Sequence, residues 1–155
     1  MSGRLQQEIQ QRKPIRLVEE EAVLNLARTT DILMQRLTDA LKPHALSGTQ
    51  YNVLRILRGA GAEGASCKDI SSRMVTRDPD ITRMMDRLEA RGLITRDRAK
   101  EDRRVVTHRL TSDGLDLVNA LDEPIEALNE QAMRHMSRAK LRELITLLEE
   151  LRSGL

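Results

Sequence analysis

The sequence predicts a mainly α-helical chain that carries one small β-hairpin. Three observations point there. Apolar residues recur every three or four positions through most of the chain, which is helical spacing. Two short runs break that rhythm, Leu93–Arg98 and Val105–Leu110, with the polar stretch AKEDRR between them. They read as strands joined by a charged tip. The third observation is size: 155 residues, 39% hydrophobic and 32% charged, suffice for one ordinary core.

The elements follow in order. Residues 1–16 are rich in Gln and charge and read as a flexible arm. From Leu17 to Leu41, Val23, Ala27, Met34, Leu37 and Leu41 fall on one helical stripe, and Pro43 should end it. Ser47-Gly-Thr-Gln50 is a capping box that opens the next helix, with Tyr51, Val53-Leu54 and Ile56-Leu57 as its apolar positions. The small-residue stretch 59–65, GAGAEGA, reads as a loop. Ser66 and Asp69 cap a short helix with Cys67, Ile70 and Met74 on its apolar side. Asp78 is a good N-cap, and Pro79 suits a first helical position. The helix it should open has Ile81, Met84, Met85 and Leu88 at i, i+3, i+4 and i+7. Thr82, Arg83, Asp86 and Arg87 fall elsewhere on that wheel, and Gly92 should stop it. After the hairpin, Thr111 caps a long amphipathic region that Pro124 should kink. Ser137 restarts a last helix bearing Leu141, Leu144, Ile145, Leu148 and Leu151.

Composition excludes several classes. No apolar run approaches membrane-spanning length, and the polar start MSGRLQQEIQQRKP lacks a signal-peptide core. One cysteine, Cys67, builds no disulfide framework, so a cytoplasmic protein is expected. There is no Phe, no Trp and a single Tyr, Tyr51, which argues against base-stacking binders of single strands. His44, His108 and His135 do not stand at metal-ligand spacing, so no metal is expected. No catalytic triad, phosphate loop or carboxylate pair stands out, so neither catalytic residues nor a cofactor are expected.

The charge is more informative by segment than in total. The formal net charge is +2. Residues 66–111 hold 12 basic and 8 acidic groups, a net +4, whereas residues 112–155 hold 5 and 9, a net −4. The electropositive middle coincides with the order helix, short helix, turn, helix, hairpin. That order is a winged helix-turn-helix, whose second helix fits the major groove of duplex DNA. Arg77, Thr82, Arg83 and Arg87 supply donors near that helix. Arg96, Arg98, Lys100, Arg103 and Arg104 supply cations in or beside the wing.

The stretch LSGTQYNVLRIL, then DPDITRMMDRLEARGLITRDRAKEDRRVVTHRLTSDG, resembles the MarR family of bacterial regulators. The resemblance covers about residues 17–152, and its specific part is ITRMMDRLEARGLI, EDRR and LTSDG in that order. It implies residues 17–46 and 112–155 as N- and C-terminal dimerisation helices around a DNA-binding unit at 47–111. It also implies a homodimer reading a pseudo-palindromic operator in double-stranded DNA, most simply as a repressor. In the wing it places Arg104 in the minor groove, oriented by Asp102, with Arg103 between them. In the recognition helix it maps contacts onto Pro79, Asp80, Thr82 and Arg83. Asp80 departs from the family's small hydroxyl residues there. It either accepts from a cytosine amino group or pairs with Arg77 or Arg83. The resemblance further implies a small anionic or phenolic effector between the dimer helices and the winged unit, with His44 and Tyr51 near that boundary. A pocket in this chain should be lined chiefly by Leu, Ile, Val and Met. Two other readings fit the residues: a protein-interaction adaptor that kept the fold, and a redox-sensing regulator acting through Cys67. A buried place for Cys67 on the apolar stripe is the simpler account of that residue.

Overall fold

The computed structural model describes residues 4–76, 80–98 and 106–155. Eight helices and three strands are found among them. Helix α1 (Arg4–Glu8) lies within the stretch expected to be a flexible arm, and its Leu5 is buried. Helix α2 (Val18–Leu41) ends just before Pro43, which falls in a 3-10 turn over Lys42–His44. Ala45 then adopts a left-handed conformation at φ 51° and turns the chain into α3 (Gly48–Ala60).

The caps read from the sequence are present as hydrogen bonds. The Gln50 amide donates to Ser47 Oγ at 3.1 Å, and the Ser47 amide donates to Gln50 Oε1 at 3.0 Å. Ser66 and Asp69 do the same for α4 (Cys67–Arg73). Each box satisfies donors that a helix start leaves unpaired.

Helix α5 (Ile81–Ala90) begins later than the sequence suggested. Asp80 occupies its cap position, and Asp78 and Pro79 lie outside the described residues. Gly92, at φ 70°, follows its end and leads into β2 (Ile94–Arg98). β3 (Val106–Leu110) pairs antiparallel with β2, Ile94 opposite Leu110 and Arg98 opposite Val106. A third strand, β1 (Ala65–Ser66), pairs with the other edge of β3, Ala65 opposite His108. The sheet order is therefore β1-β3-β2, where the sequence had suggested a loop and a two-stranded hairpin.

Thr111 closes the sheet onto α6 (Ser112–Ala120). Its amide donates to the Leu93 carbonyl, its hydroxyl donates to the Gly92 carbonyl, and that hydroxyl accepts from the Gly114 amide. Gly114 is required by this closeness: a Cβ there would stand 2.0 Å from the Leu93 carbonyl oxygen.

The break after α6 falls at Leu121, before the proline. Helix α7 (Asp122–Met133) carries Pro124 in its first turn, where an absent N–H costs no helical bond. Pro124 thus starts a helix rather than kinking one. Helix α8 (Arg138–Ser153) is capped by Ser137 and buries none of its residues. No helix among the described residues is long and apolar enough to cross a membrane.

The core is centred on α3 and runs from Leu41 of α2 to Ile125 of α7. Val53, Leu54 and Leu57 of α3 meet Ile70 of α4, Met85 and Leu88 of α5, Ile94 of β2 and Val118 of α6. Met84 and Met85 fill space that aromatic rings would otherwise take, a role their flexible thioethers suit.

Candidate DNA interface and cleft

Helix α5 has two opposite faces, set by its 3.6-residue period. Met84, Met85 and Leu88 are buried, and Thr82, Arg83 and Arg87 are exposed. A stripe at i, i+1 and i+4 anchors the helix, so the polar side points out. Arg83 Nη1 stands 3.8 Å from Asp80 Oδ2, an ion pair one helical turn long. Of the two intramolecular partners considered for Asp80, Arg83 is thus engaged, and Arg77 lies outside the described residues. Arg83 and Arg87 share a shallow depression with Ser47, Thr49 and Gln50 at the start of α3.

Two arginines fix the helix from behind. Arg91 donates through Nη1 to the Ala45 carbonyl at 2.6 Å and through Nη2 to the His44 carbonyl at 2.9 Å. This staples the end of α5 to the left-handed corner before α3. Arg96, on β2, donates to Asp86 and stands 3.5 Å from Glu89 Oε2. Both acids belong to α5, so Arg96 braces the helix against the sheet. The sequence had counted Arg96 among the wing cations. Arg96 does lie in the hairpin, on β2, but it is half-buried and paired with two carboxylates. The signal was available in strand parity: Arg96 shares the face of buried Ile94, two residues earlier.

The hairpin has its own cross-brace. Arg109 on β3 pairs with Asp97 on β2 and donates through Nε to the Ala62 carbonyl. Arg98 is the last residue of β2. The other expected wing residues, Lys100, Asp102, Arg103 and Arg104, lie outside the described residues, as do Arg77 and Pro79 of the recognition segment.

Beneath the sheet, His108 is 1% exposed and neither ring nitrogen closes a hydrogen bond. The backbone of Ala65 lies close enough to favour protonation slightly, but not in hydrogen-bond geometry. Burial, reinforced by the Arg96 charge, holds the imidazole pKa below its ordinary value. Cys67, half-buried nearby, has its thiol pushed up by burial, which disfavours the reactive thiolate. No group of three or more metal-ligating side chains occurs among the described residues.

A second feature opens on another side of α3. A cleft of about 560 Å³ lies between α2, α3, α7 and the turn before α5. Leu33, Met34, Leu37, Ile125, Leu128 and Met133 give it an apolar wall. Tyr51 lines it, with Arg55 5.8 Å from the ring centroid, and Arg36 and Arg55 supply its positive charge. Burial raises the Tyr51 pKa, so the phenol stays neutral. His44 does not line this cleft; its carbonyl accepts from Arg91. Asn52 also lines it, and its Oδ1 accepts from the Val75 amide at 2.9 Å. An Asn on a helix carries no motif, so nothing in the sequence singles out Asn52.

Arg58, three residues beyond Arg55 on α3, makes a further tie. It donates to both carboxylate oxygens of Asp122, at 2.7 and 2.9 Å, and to Asn119 Oδ1 at 2.8 Å. The guanidinium holds the Asp122 carboxyl below the usual range. This ties α3 to the junction between α6 and α7.

Comparison with known proteins agrees with the architecture. Residues 46–106 match the model of the MarR family. A crystal structure of a MarR transcription factor from Planctomyces limnophilus is 40% identical, with a TM-score of 0.69. The match covers 87% of this chain and 98% of that one. The homoprotocatechuate degradative operon repressor of Escherichia coli is 27% identical over 131 residues, 84% of this chain and 87% of the repressor. BpsR of Bordetella bronchiseptica, whose DNA binding is regulated by 6-hydroxynicotinic acid, is 24% identical with a TM-score of 0.77. That match covers 90% of this chain and 98% of BpsR.

Proposed function

The chain belongs to the MarR family of transcription regulators, and from that membership we propose that it is a homodimeric repressor released from its DNA operator by a small aromatic acid. It is a regulator and not an enzyme. The observation that carries the DNA reading is α5: one face locked in the core, the opposite face open with Thr82, Arg83 and Arg87. A helix so presented fits the major groove, and two of them on a dimer read half-sites about one turn apart.

In this reading Arg77, Pro79, Asp80, Thr82, Arg83 and Arg87 contact one half-site. Arg98, Lys100, Asp102, Arg103 and Arg104 serve the wing, with Arg104 in the minor groove and Asp102 orienting it. A narrow minor groove concentrates negative potential and favours arginine. The dimer reading is supported by apolar side chains left open on the flanking helices. Val18 and Val23 of α2, and Ile145, Leu147 and Leu151 of α8, are all exposed. The acid reading is supported by the cleft, which combines an apolar wall with Arg36, Arg55 and one phenol. The acid-regulated relative BpsR and the name of the aromatic-catabolism repressor point to the same chemical class.

The test is a gel-shift titration against a duplex that the wild-type protein selects from a random pool. Arg83→Ala and Arg104→Ala should each weaken binding about tenfold or more and flatten its salt dependence. Wild-type affinity in both variants at physiological salt would refute the assignment of these two arginines.

A further inference from the structure

The turn between α4 and α5 has an unusual anchor. It runs through Met74, Val75 and Thr76; Met74 packs against the core, but Val75 is 87% exposed, so its own side chain does not hold the middle of the turn. Its Val75 amide instead donates to the side chain of Asn52, on α3, 23 residues earlier. Water could satisfy an amide so exposed, so a protein acceptor there fixes the position of the turn rather than meeting a burial cost. Helix α5 starts only a few residues further on, so the position of this turn bears on where the exposed face of α5 begins.

Asn52 is also a wall residue of the cleft, together with Val75 and Thr76 themselves. Its carbonyl oxygen is taken by the turn, and its NH2 group has no partner among the described residues. An amide engaged on one side by the turn and bordering a cavity on the other can transmit what fills that cavity. Its neighbours Arg55 and Thr49 line the same cleft.

We propose that Asn52 is a positioning residue that couples the cleft to the recognition helix. Its Oδ1 sets the turn that launches α5, and a carboxylate held in the cleft beside its NH2 group shifts that turn. The proposal rests on the reading of the cleft as an effector site. A ligand moves the DNA-binding equilibrium only through contacts that differ between two states, and this hydrogen bond supplies one.

The test compares full-length wild type, Asn52→Asp and Asn52→Leu. Asp keeps the acceptor oxygen; Leu keeps the volume and loses it. In Asn52→Leu, hydrogen exchange at the Val75 amide should speed up about tenfold, and affinity for the selected duplex should fall about five- to tenfold. Asn52→Asp should retain the slow exchange. Saturating 6-hydroxynicotinic acid should weaken duplex binding by the wild type at least fivefold or so and by Asn52→Leu less than about twofold, while calorimetry still shows the acid bound to both. Wild-type exchange at Val75 in the Leu variant, or an undiminished response to the acid, overturns the proposal. If calorimetry shows no acid binding to the wild type, the effector reading and the coupling fall together. Val75 exchange and duplex affinity then decide the positioning role of Asn52 separately.

Discussion

The winged unit and the helices that flank it solve the burial problem differently. Helix α3 has 13 residues and buries five of them; α8 has 16 and buries none. Helix α2 is longer still, at 24 residues, and buries only Leu41 at its end. The winged unit therefore holds most of the core, to which α2 adds Leu41 and α7 adds Ile125, while α2 and α8 also carry apolar side chains that stay exposed in the single chain, Val18, Val23, Ile145, Leu147 and Leu151 among them. An amphipathic helix without an internal partner gains most of its stability from what it packs against. The lesson is that substitutions of one chemical kind should read out as folding in one region and as association in the other.

The largest expected effect lies in the core. Leu54 has no exposed surface and sits among Leu57, Ile70 and Met85. Leu54→Ala should cost about 3 kcal/mol in chemical denaturation, from lost transfer energy plus a cavity. Leu147 on α8, 55% exposed, should lose well under 1 kcal/mol on the same truncation when measured in a monomeric background. Equal losses at the two positions would remove the contrast.

The next effect tests the other half. Placing charge at Ile145 and Leu151 together, as Ile145→Asp with Leu151→Asp, should weaken self-association on the order of a hundredfold. Sedimentation would show a monomer whose winged unit still gives a native circular dichroism spectrum. A dimer that persists unchanged would mean that this face of α8 is not the contact.

How legible these two regions were differs as well. In the winged unit, the stripe Ile81, Met84, Met85 and Leu88 identified the buried face of α5, because each position repeats with the helical period. Ser47 and Ser66 gave the helix starts, since the side chain and its target amide are three residues apart. The start of α5 was misplaced by two residues: Asp78 and Asp80 are both competent caps, and only geometry chooses between them. Strand β1 was missed because Ala65–Ser66 is too short to alternate and lies in a Gly-rich stretch; its pairing with β3 is a long-range event. Arg96 lies on β2 as its place in the sequence implies, but its pairing with Asp86 and Glu89 depends on contacts that only the fold brings together. Pro124 was read as a kink, since a proline near a helix start and one inside a helix look alike until the break at Leu121 is seen. In the flanking helices the periodicity was clear, but periodicity alone does not say whether a stripe meets its own chain or another. The cleft was anticipated only as a boundary. Tyr51 lines it and His44 does not, because Arg91 fixes the corner where His44 sits.

A smaller effect separates the regions by pH. His108 is buried in the sheet with both ring nitrogens unpaired, near Arg96, Glu89 and Asp86. Its pKa is lowered from the ordinary 6.5, so the native state holds it neutral while the unfolded chain binds a proton more readily. Stability from this residue is therefore full above pH 6.5 and falls as the pH drops below it, down to the native pKa. Denaturation midpoints of the wild type should decline through that window. His108→Leu, which removes both unpaired nitrogens, should decline less steeply and lose little or no stability at neutral pH. Because the residue sits under the sheet, the acid-labile part should be the winged unit, with the flanking helices showing no such slope by hydrogen exchange. An identical pH slope in the Leu variant would assign the loss to other groups.

The smallest effect lies at the seam. Arg58 and Asp122 join α3 to the start of α7, but their side chains are 27% and 42% exposed, so water screens the pair. Arg58→Met keeps the aliphatic stem and removes the charge. It should cost about 1 kcal/mol or less at low salt, and the difference from wild type should shrink in 0.5 M salt, roughly as screening of an exposed pair requires. The bidentate geometry adds direction that the energy does not express, since two parallel bonds fix the angle between the helices they join. If that angle sets the distance between the two recognition helices of a dimer, Arg58→Met should reduce affinity for the full pseudo-palindrome more than for a single half-site. Equal losses on both duplexes would leave Arg58 as a local tie within one protomer, with no part in aligning the two.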